Sequence, residues 1–271
     1  MRTNFATCIT FLVAFAALPS ELLAEESRES IRLPAKENFH LFLLAGQSNM
    51  AGRGKIDAED KEPHPRIVMF SKEQRWVPAI APLHFDKRKI VGVGLGRSFA
   101  KSVADKVDAS IVIGLIPCAV GGSPISSWEP GGFHEQTKSH PYDDAMRRAK
   151  LAIEYGSLKA VLWHQGESDS NDEKSELYEE KLHQLIARFR REFDAPQLPF
   201  IAGQMGQFAE RPWSDAKKQV DSVHQSLPKK VTLTRFVNSD GLKHKGDEVH
   251  FDAESYRELG RRYAKAYLTL R

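Results

Sequence analysis

The stretch His40-Leu41-Phe42-Leu43-Leu44-Ala45-Gly46-Gln47-Ser48-Asn49-Met50-Ala51-Gly52 sets the pattern of the chain. Its first half is short and apolar and its second half is a glycine-rich turn. It therefore reads as a β-strand that hands over to a polar loop. Four more strand-like runs follow at 109–116, 160–164, 198–203 and 231–236. The middle ones are apolar throughout rather than alternating, as expected of parallel strands covered on both faces. Between and after them lie stripes at helical spacing: Leu95/Phe99/Val103/Val107, Tyr142/Met146/Ala149/Ile153 and Tyr178/Leu182/Leu185/Ile186/Phe189/Phe193. Val220/Val223/Leu227 and Tyr256/Leu259/Tyr263/Tyr267 complete the set. Five alternations of strand and helix predict an α/β fold, a three-layer α/β/α sandwich around a mainly parallel five-stranded sheet. Residues 46–94, with Pro63, Pro65, Pro78 and Pro82, form too long a connection for that scheme. They read as an insertion beside the site, in which 66–70 and 75–80 can pair as a hairpin.

Composition agrees with one globular domain. The 271 residues are 41% apolar and 28% charged, which excludes disorder and fibrous repeats. A net charge of +3 with the two signs interspersed does not point to nucleic acid. The N-terminus differs from the rest: a basic start at Arg2, an apolar run over 5–18, then Leu22-Leu23-Ala24 before Glu25-Glu26. Residues 1–24 thus read as a cleaved signal peptide, too short for a stable membrane span. The expected product is a secreted or periplasmic domain over 25–271. It keeps one cysteine, Cys118, and so has no internal disulfide.

Open parallel sheets bind ligands at the carboxyl ends of their strands. At those ends the sequence places Gln47-Ser48-Asn49, then Pro117-Cys118-Ala119-Val120-Gly121-Gly122, then His164-Gln165-Gly166-Glu167-Ser168-Asp169. Gln204 to Gln207 and Asp247-Glu248-Val249-His250 follow the last two strands. Ser48 suits a nucleophile exposed on a tight turn, and equally a helix cap. Asp247 and His250, three apart, suit an orienting carboxylate and a base with Nε2 free, or else a cap and an incidental histidine. Gly121-Gly122 brings backbone N–H groups near a substrate or simply makes a turn. Gln165 offers a neutral donor for an oxyanion, or ties the loops together. Trp128 and Phe133, in the loop 119–141, suit stacking on a sugar ring or cover the core edge. Gly92-Val93-Gly94-Leu95-Gly96 lacks the spacing of a nucleotide loop and reads as a helix start.

Taken together, residues 42–52, 117–122, 163–169 and 247–251, with Gly260-Arg261, resemble the SGNH-fold carbohydrate esterases. The similarity is to the group holding acetyl xylan esterases of carbohydrate esterase family six and sialate O-acetylesterases. That resemblance implies a flavodoxin-like SGNH hydrolase and a serine esterase that removes O-acetyl groups from carbohydrate. It implies Ser48 as nucleophile, His250 as general base and Asp247 as its partner. The oxyanion hole would use Ser48, Gly122 and Gln165, with Gln47, Asn49, Gly121 and Glu167 in supporting roles. Gln47 and Gln165 stand where many of the wider superfamily have Asp and Asn, a difference that leaves the reach of Gln165 open. The substrate would be an acetylated oligo- or polysaccharide or sialic acid, with no cofactor. Two rivals remain at this point. One is a non-catalytic carbohydrate-binding module. The other is a metal-assisted hydrolase using His164, Glu167, Asp247 and His250, whose spacing matches no standard metal motif.

Overall fold

A computed structural model describes residues 31–270. The expected signal peptide, 1–24, lies outside the described residues. The compact unit begins at Leu33. Its central strand is β1 (Phe39–Gly46), buried along its whole length. The first turn of helix, α1 (Ser48–Ala51), follows at once. Gly46 makes that turn possible: it has φ +129°, and a Cβ there would stand 2.2 Å from the His164 carbonyl oxygen. Only glycine lets the two backbones approach so closely.

The other strands are β2 (Ile67–Phe70), β3 (Trp76–Pro78), β4 (Val112–Pro117), β5 (Ser157–His164), β6 (Phe200–Gly203) and β7 (Thr234–Val237). They form one seven-stranded sheet in the order β3-β2-β4-β1-β5-β6-β7. All neighbours are parallel except β2 and β3. The expected count of five is therefore short by two, because the insertion's hairpin joins the sheet. Val68 pairs with Gly114 on β4, and Val68 also pairs with Pro78 on β3. Proline suits this outer edge, where a missing N–H costs no ladder bond.

Helices cover both faces. On one side α2 (Gly96–Ala104) and α6 (Ala253–Leu268) pack together over Phe42, Leu44, Ile113, Leu115, Ala160 and Leu162. Phe42 meets Phe99 and Tyr267 edge-on there, at 4.9 and 5.0 Å between ring centres. On the other side are α3 (Pro141–Ala152), α4 (Asp172–Glu192) and α5 (Asp215–Lys230). Trp163 of β5 faces that layer and donates its indole N–H to Tyr178 of α4 at 3.3 Å. The helix starts are capped as their sequences suggest. Asn171, Ser214 and Asp252 each accept a backbone N–H three residues on, an arrangement worth about 1 kcal/mol apiece. No helix among the described residues is long and apolar enough to cross a membrane.

Candidate active site

The carboxyl ends of β1, β4 and β5 meet, and the loop before α6 joins them from the far end of the chain. Ser48, first residue of α1, points its Oγ at His250 Nε2, 3.0 Å away. His250 Nδ1 lies 2.7 Å from Asp247 Oδ2. The turn that folds His250 back on Asp247 is tight: Glu248 takes φ +57°, and Asp247 Oδ1 accepts the Val249 and His250 N–H groups at 3.1 and 2.8 Å. Lys245 Nζ stands 3.0 Å from Oδ2. Burial opposes the charge on Asp247. Hydrogen bonds from the His250 backbone, the His250 ring, Lys245 and the Val249 N–H outweigh it and hold the carboxyl far below the usual range.

Asn49 locks the two loops together. Its Nδ2 donates to Glu167 Oε1 at 2.6 Å and to the Val249 carbonyl at 3.0 Å. Its Oδ1 accepts the Tyr256 hydroxyl at 2.7 Å and the Phe251 N–H at 3.4 Å. Glu167 thus holds Asn49, and among the described residues no hydrogen bond or ion pair joins it to His250. Gln47 Oε1 accepts the Ser168 N–H at 3.3 Å, joining the serine turn to the loop after β5.

The backbone donors lie across from this. Gly121 N–H goes to Asp86 Oδ2 and Ser123 N–H to the Val120 carbonyl. The Gly122 N–H between them has no partner among the described residues. The Ser48 N–H, at the first position of α1, has no carbonyl of its own helix to pair with. Gly122 itself has φ +86°. Beneath the loop, Asp86 forms a buried ion pair with Arg53 at 2.8 Å, both side chains 2% exposed or less. Burial disfavours the carboxylate, but the Arg53 guanidinium and its hydrogen bond hold Asp86 below its ordinary value. Removing one member of such a pair typically costs about 3–5 kcal/mol. Neither residue is picked out by the sequence, since Asp86 lies in the proline-rich insertion with no motif around it.

Gln165 departs from the oxyanion role. It is wholly buried, and its Nε2 is committed to Asp169 Oδ2 at 2.5 Å and the Ser123 carbonyl at 3.3 Å. Its Oε1 accepts the Tyr178 hydroxyl at 2.8 Å. The side chain braces the loop after β4 against the loop after β5. Gln165→Ala is therefore expected to leave buried partners unpaired and to lower the melting temperature together with kcat. A loss of kcat of about 10²-fold or more with unchanged melting would instead restore the side chain to the oxyanion hole.

Two further expectations, for Trp128 and His164, are corrected, and Phe133 keeps both of its readings. Trp128 is wholly buried, edge-on to Trp163 at 5.1 Å, and cannot stack on a sugar. Phe133 is 48% exposed and packs against His140. His164, offered as a metal ligand, is wholly buried with Nδ1 3.1 Å from the Tyr263 hydroxyl. Burial lowers it to about 4, so it is neutral. Among the described residues no three His, Cys, Asp or Glu side chains come together as a metal site. Cys118 is a buried thiol pushed up to about 11 by desolvation.

Comparison with known proteins gives a consistent picture. A family model described as "Carbohydrate esterase, sialic acid-specific acetylesterase" matches residues 38–269. A probable carbohydrate esterase of Arabidopsis thaliana is 34% identical over 264 residues, covering 90% of this chain and 95% of that protein. The X-ray structure of an Arabidopsis thaliana protein superposes with a TM-score of 0.75 at 34% identity, covering 86% of this chain and 98% of the other. A carbohydrate acetylesterase from Xanthomonas citri shares the fold, with TM-score 0.65 at 19% identity over 85% of this chain and 56% of the other. The chain therefore belongs to the family of carbohydrate esterases described as sialic acid-specific acetylesterases, which are carboxylic ester hydrolases.

Proposed function

We propose that the protein is a serine esterase that removes O-acetyl groups from carbohydrate through an acyl-enzyme. The observation that carries this reading is the continuous line Ser48 Oγ–His250 Nε2 and His250 Nδ1–Asp247 Oδ2, at 3.0 and 2.7 Å. Ser48 Oγ attacks the acetyl carbonyl while Nε2 takes its proton, and the ester oxygen of the sugar leaves with that proton. Water, deprotonated by the same Nε2, then hydrolyses the acetyl-serine and frees acetate. The Ser48 and Gly122 N–H groups receive the oxyanion of each tetrahedral intermediate. No organic cofactor takes part in these steps.

The family supports an acetylated carbohydrate as substrate; O-acetylated sialic acid and acetylated xylan or related polysaccharide are the proposed classes. We also propose that the protein works outside the cytoplasm after losing residues 1–24, which the N-terminal mass of the exported product would test. The deciding experiment measures acetate release from O-acetyl sialic acid, acetylated xylan and simple sugar acetates, with and without a fluorophosphonate. The expected outcome is release from at least one substrate, its loss on labelling, and the label on the peptide holding Ser48. Release that survives complete labelling, or that a chelator abolishes, would overturn the serine mechanism.

A further inference from the structure

The oxyanion loop is gripped from both sides by two consecutive residues. Asp86 takes the Gly121 N–H from below, as described. Lys87 comes over the top: a Cβ built on Gly122 would lie 3.7 Å from Lys87 Nζ, 2.9 Å from Gln136 Oε1 and 3.8 Å from His134 Nε2. Lys87 Nζ donates to Gln136 Oε1 at 2.8 Å, and His134 is buried with Nδ1 2.7 Å from the Thr137 hydroxyl. The ammonium is therefore positioned by a neutral amide. Among the described residues no carboxylate lies within ion-pair distance of it, because the neighbouring Asp86 is taken up by Arg53. Lys87 is also half-buried: desolvation and the Arg53 charge lower its affinity for a proton, while the Asp86 charge raises it. Asp86 thus faces two cations, Arg53 and Lys87, and a partly desolvated cation that shares its one carboxylate gains when a further anion arrives. The anion that forms here is the tetrahedral oxygen at the Gly122 N–H.

We infer that Lys87 supplies, through space, the positive charge that supplements the two backbone N–H groups of the oxyanion hole. Gln165 does not fill that place, being committed beneath the loops. A fixed cation near a developing charge, with low-dielectric protein on one side, favours the intermediate over the neutral ester. The effect belongs in kcat and not in KM, because the ground-state carbonyl carries little charge. Arg53 and Asp86 hold the backbone next to Lys87, and Gln136 holds its ammonium beside Gly122.

The inference rests on the esterase reading, and the experiment separates the two. Turnover of p-nitrophenyl acetate by the native protein, and its loss in Ser48→Ala, first establishes that reading; failure here is a failure of the esterase mechanism. Lys87→Met is then expected to lower kcat for this small neutral ester about 10-fold with KM nearly unchanged. Lys87→Arg should restore most of the rate. Lys89→Met, which removes the same charge from an exposed neighbour, should leave kcat as it was. Raised salt should weaken the native advantage over Lys87→Met. An unchanged kcat in Lys87→Met, a loss expressed only in KM, or a loss that Lys87→Arg does not recover would overturn the inference.

Discussion

Ser48→Ala is expected to lower kcat by about 10⁴-fold or more and to leave the melting curve almost unchanged. The Oγ makes one side-chain contact among the described residues, to His250. Its turn is held by other means: the close approach of Gly46 to His164, the Gln47 N–H to the His164 carbonyl, and the four hydrogen bonds of Asn49. Deleting a hydroxyl at a buried but unstrained helix start removes little packing, so stability has no reason to fall. What is lost is the covalent route, since no other hydroxyl occupies that place. The residual rate would be what water, His250 and the two backbone donors can still achieve. Steady-state kinetics on purified protein, with native enzyme carry-over excluded by phosphonate titration, gives the number. More than a tenth of the native activity in a folded variant would remove Ser48 from the mechanism.

The parts of this site visible in the sequence are those whose chemistry and placement are local. Ser48 closes a strand and opens a helix within a few residues, and Asp247 and His250 are bound by a three-residue turn that any Asp-x-x-His loop can form. The strand rule then brings the two ends of the chain together. The hidden parts depend on partners far apart in sequence. Gln165 has the right amide for an oxyanion, but nothing in its neighbours announces that Asp169 and Ser123 take both its N–H groups and Tyr178 bonds its oxygen. Trp128 looks like a sugar platform because its loop is rich in Gly and Pro; it is buried because Trp163 lies beneath it. The strands β2 and β3 are short, and Pro78 masks the second, so the sheet edge is underestimated although the hairpin itself is legible. Arg53, Asp86 and Lys87 carry no motif, and only the folded loop reveals their relation to Gly121 and Gly122.

Asp247→Asn is expected to lower kcat by about 10³- to 10⁴-fold, although asparagine is almost the same shape. The wild-type carboxylate can only accept, so it fixes the proton of neutral His250 on Nδ1 and leaves Nε2 bare towards Ser48. In the variant, the amide oxygen of the asparagine can keep the Val249 and His250 N–H bonds now made by Oδ1. Its NH₂ then faces Nδ1, which must become the acceptor, and the proton moves to Nε2. A protonated Nε2 cannot take the proton of Ser48. The pH behaviour gives a second check. Because hydrogen bonds hold Asp247 far below the usual carboxylate range, it stays ionised wherever the enzyme works, and its carboxyl adds no proton of its own to the acid-side fall of kcat/KM. The same lowering favours the folded state at pH above the unfolded carboxylate value of about 3.9, and that contribution fades as pH falls below it. The asparagine variant loses this stability term in full at pH 8 and little of it at pH 4, while its kinetic loss at pH 8, where no carboxyl titrates, is read on the fraction that melting shows to be folded. Kinetics from pH 5 to 8 beside thermal melting at pH 4 and 8 distinguishes the two effects. A loss under 10-fold at pH 8, or a wild-type acid limb that needs two protons, would show that Asp247 does not set the state of His250.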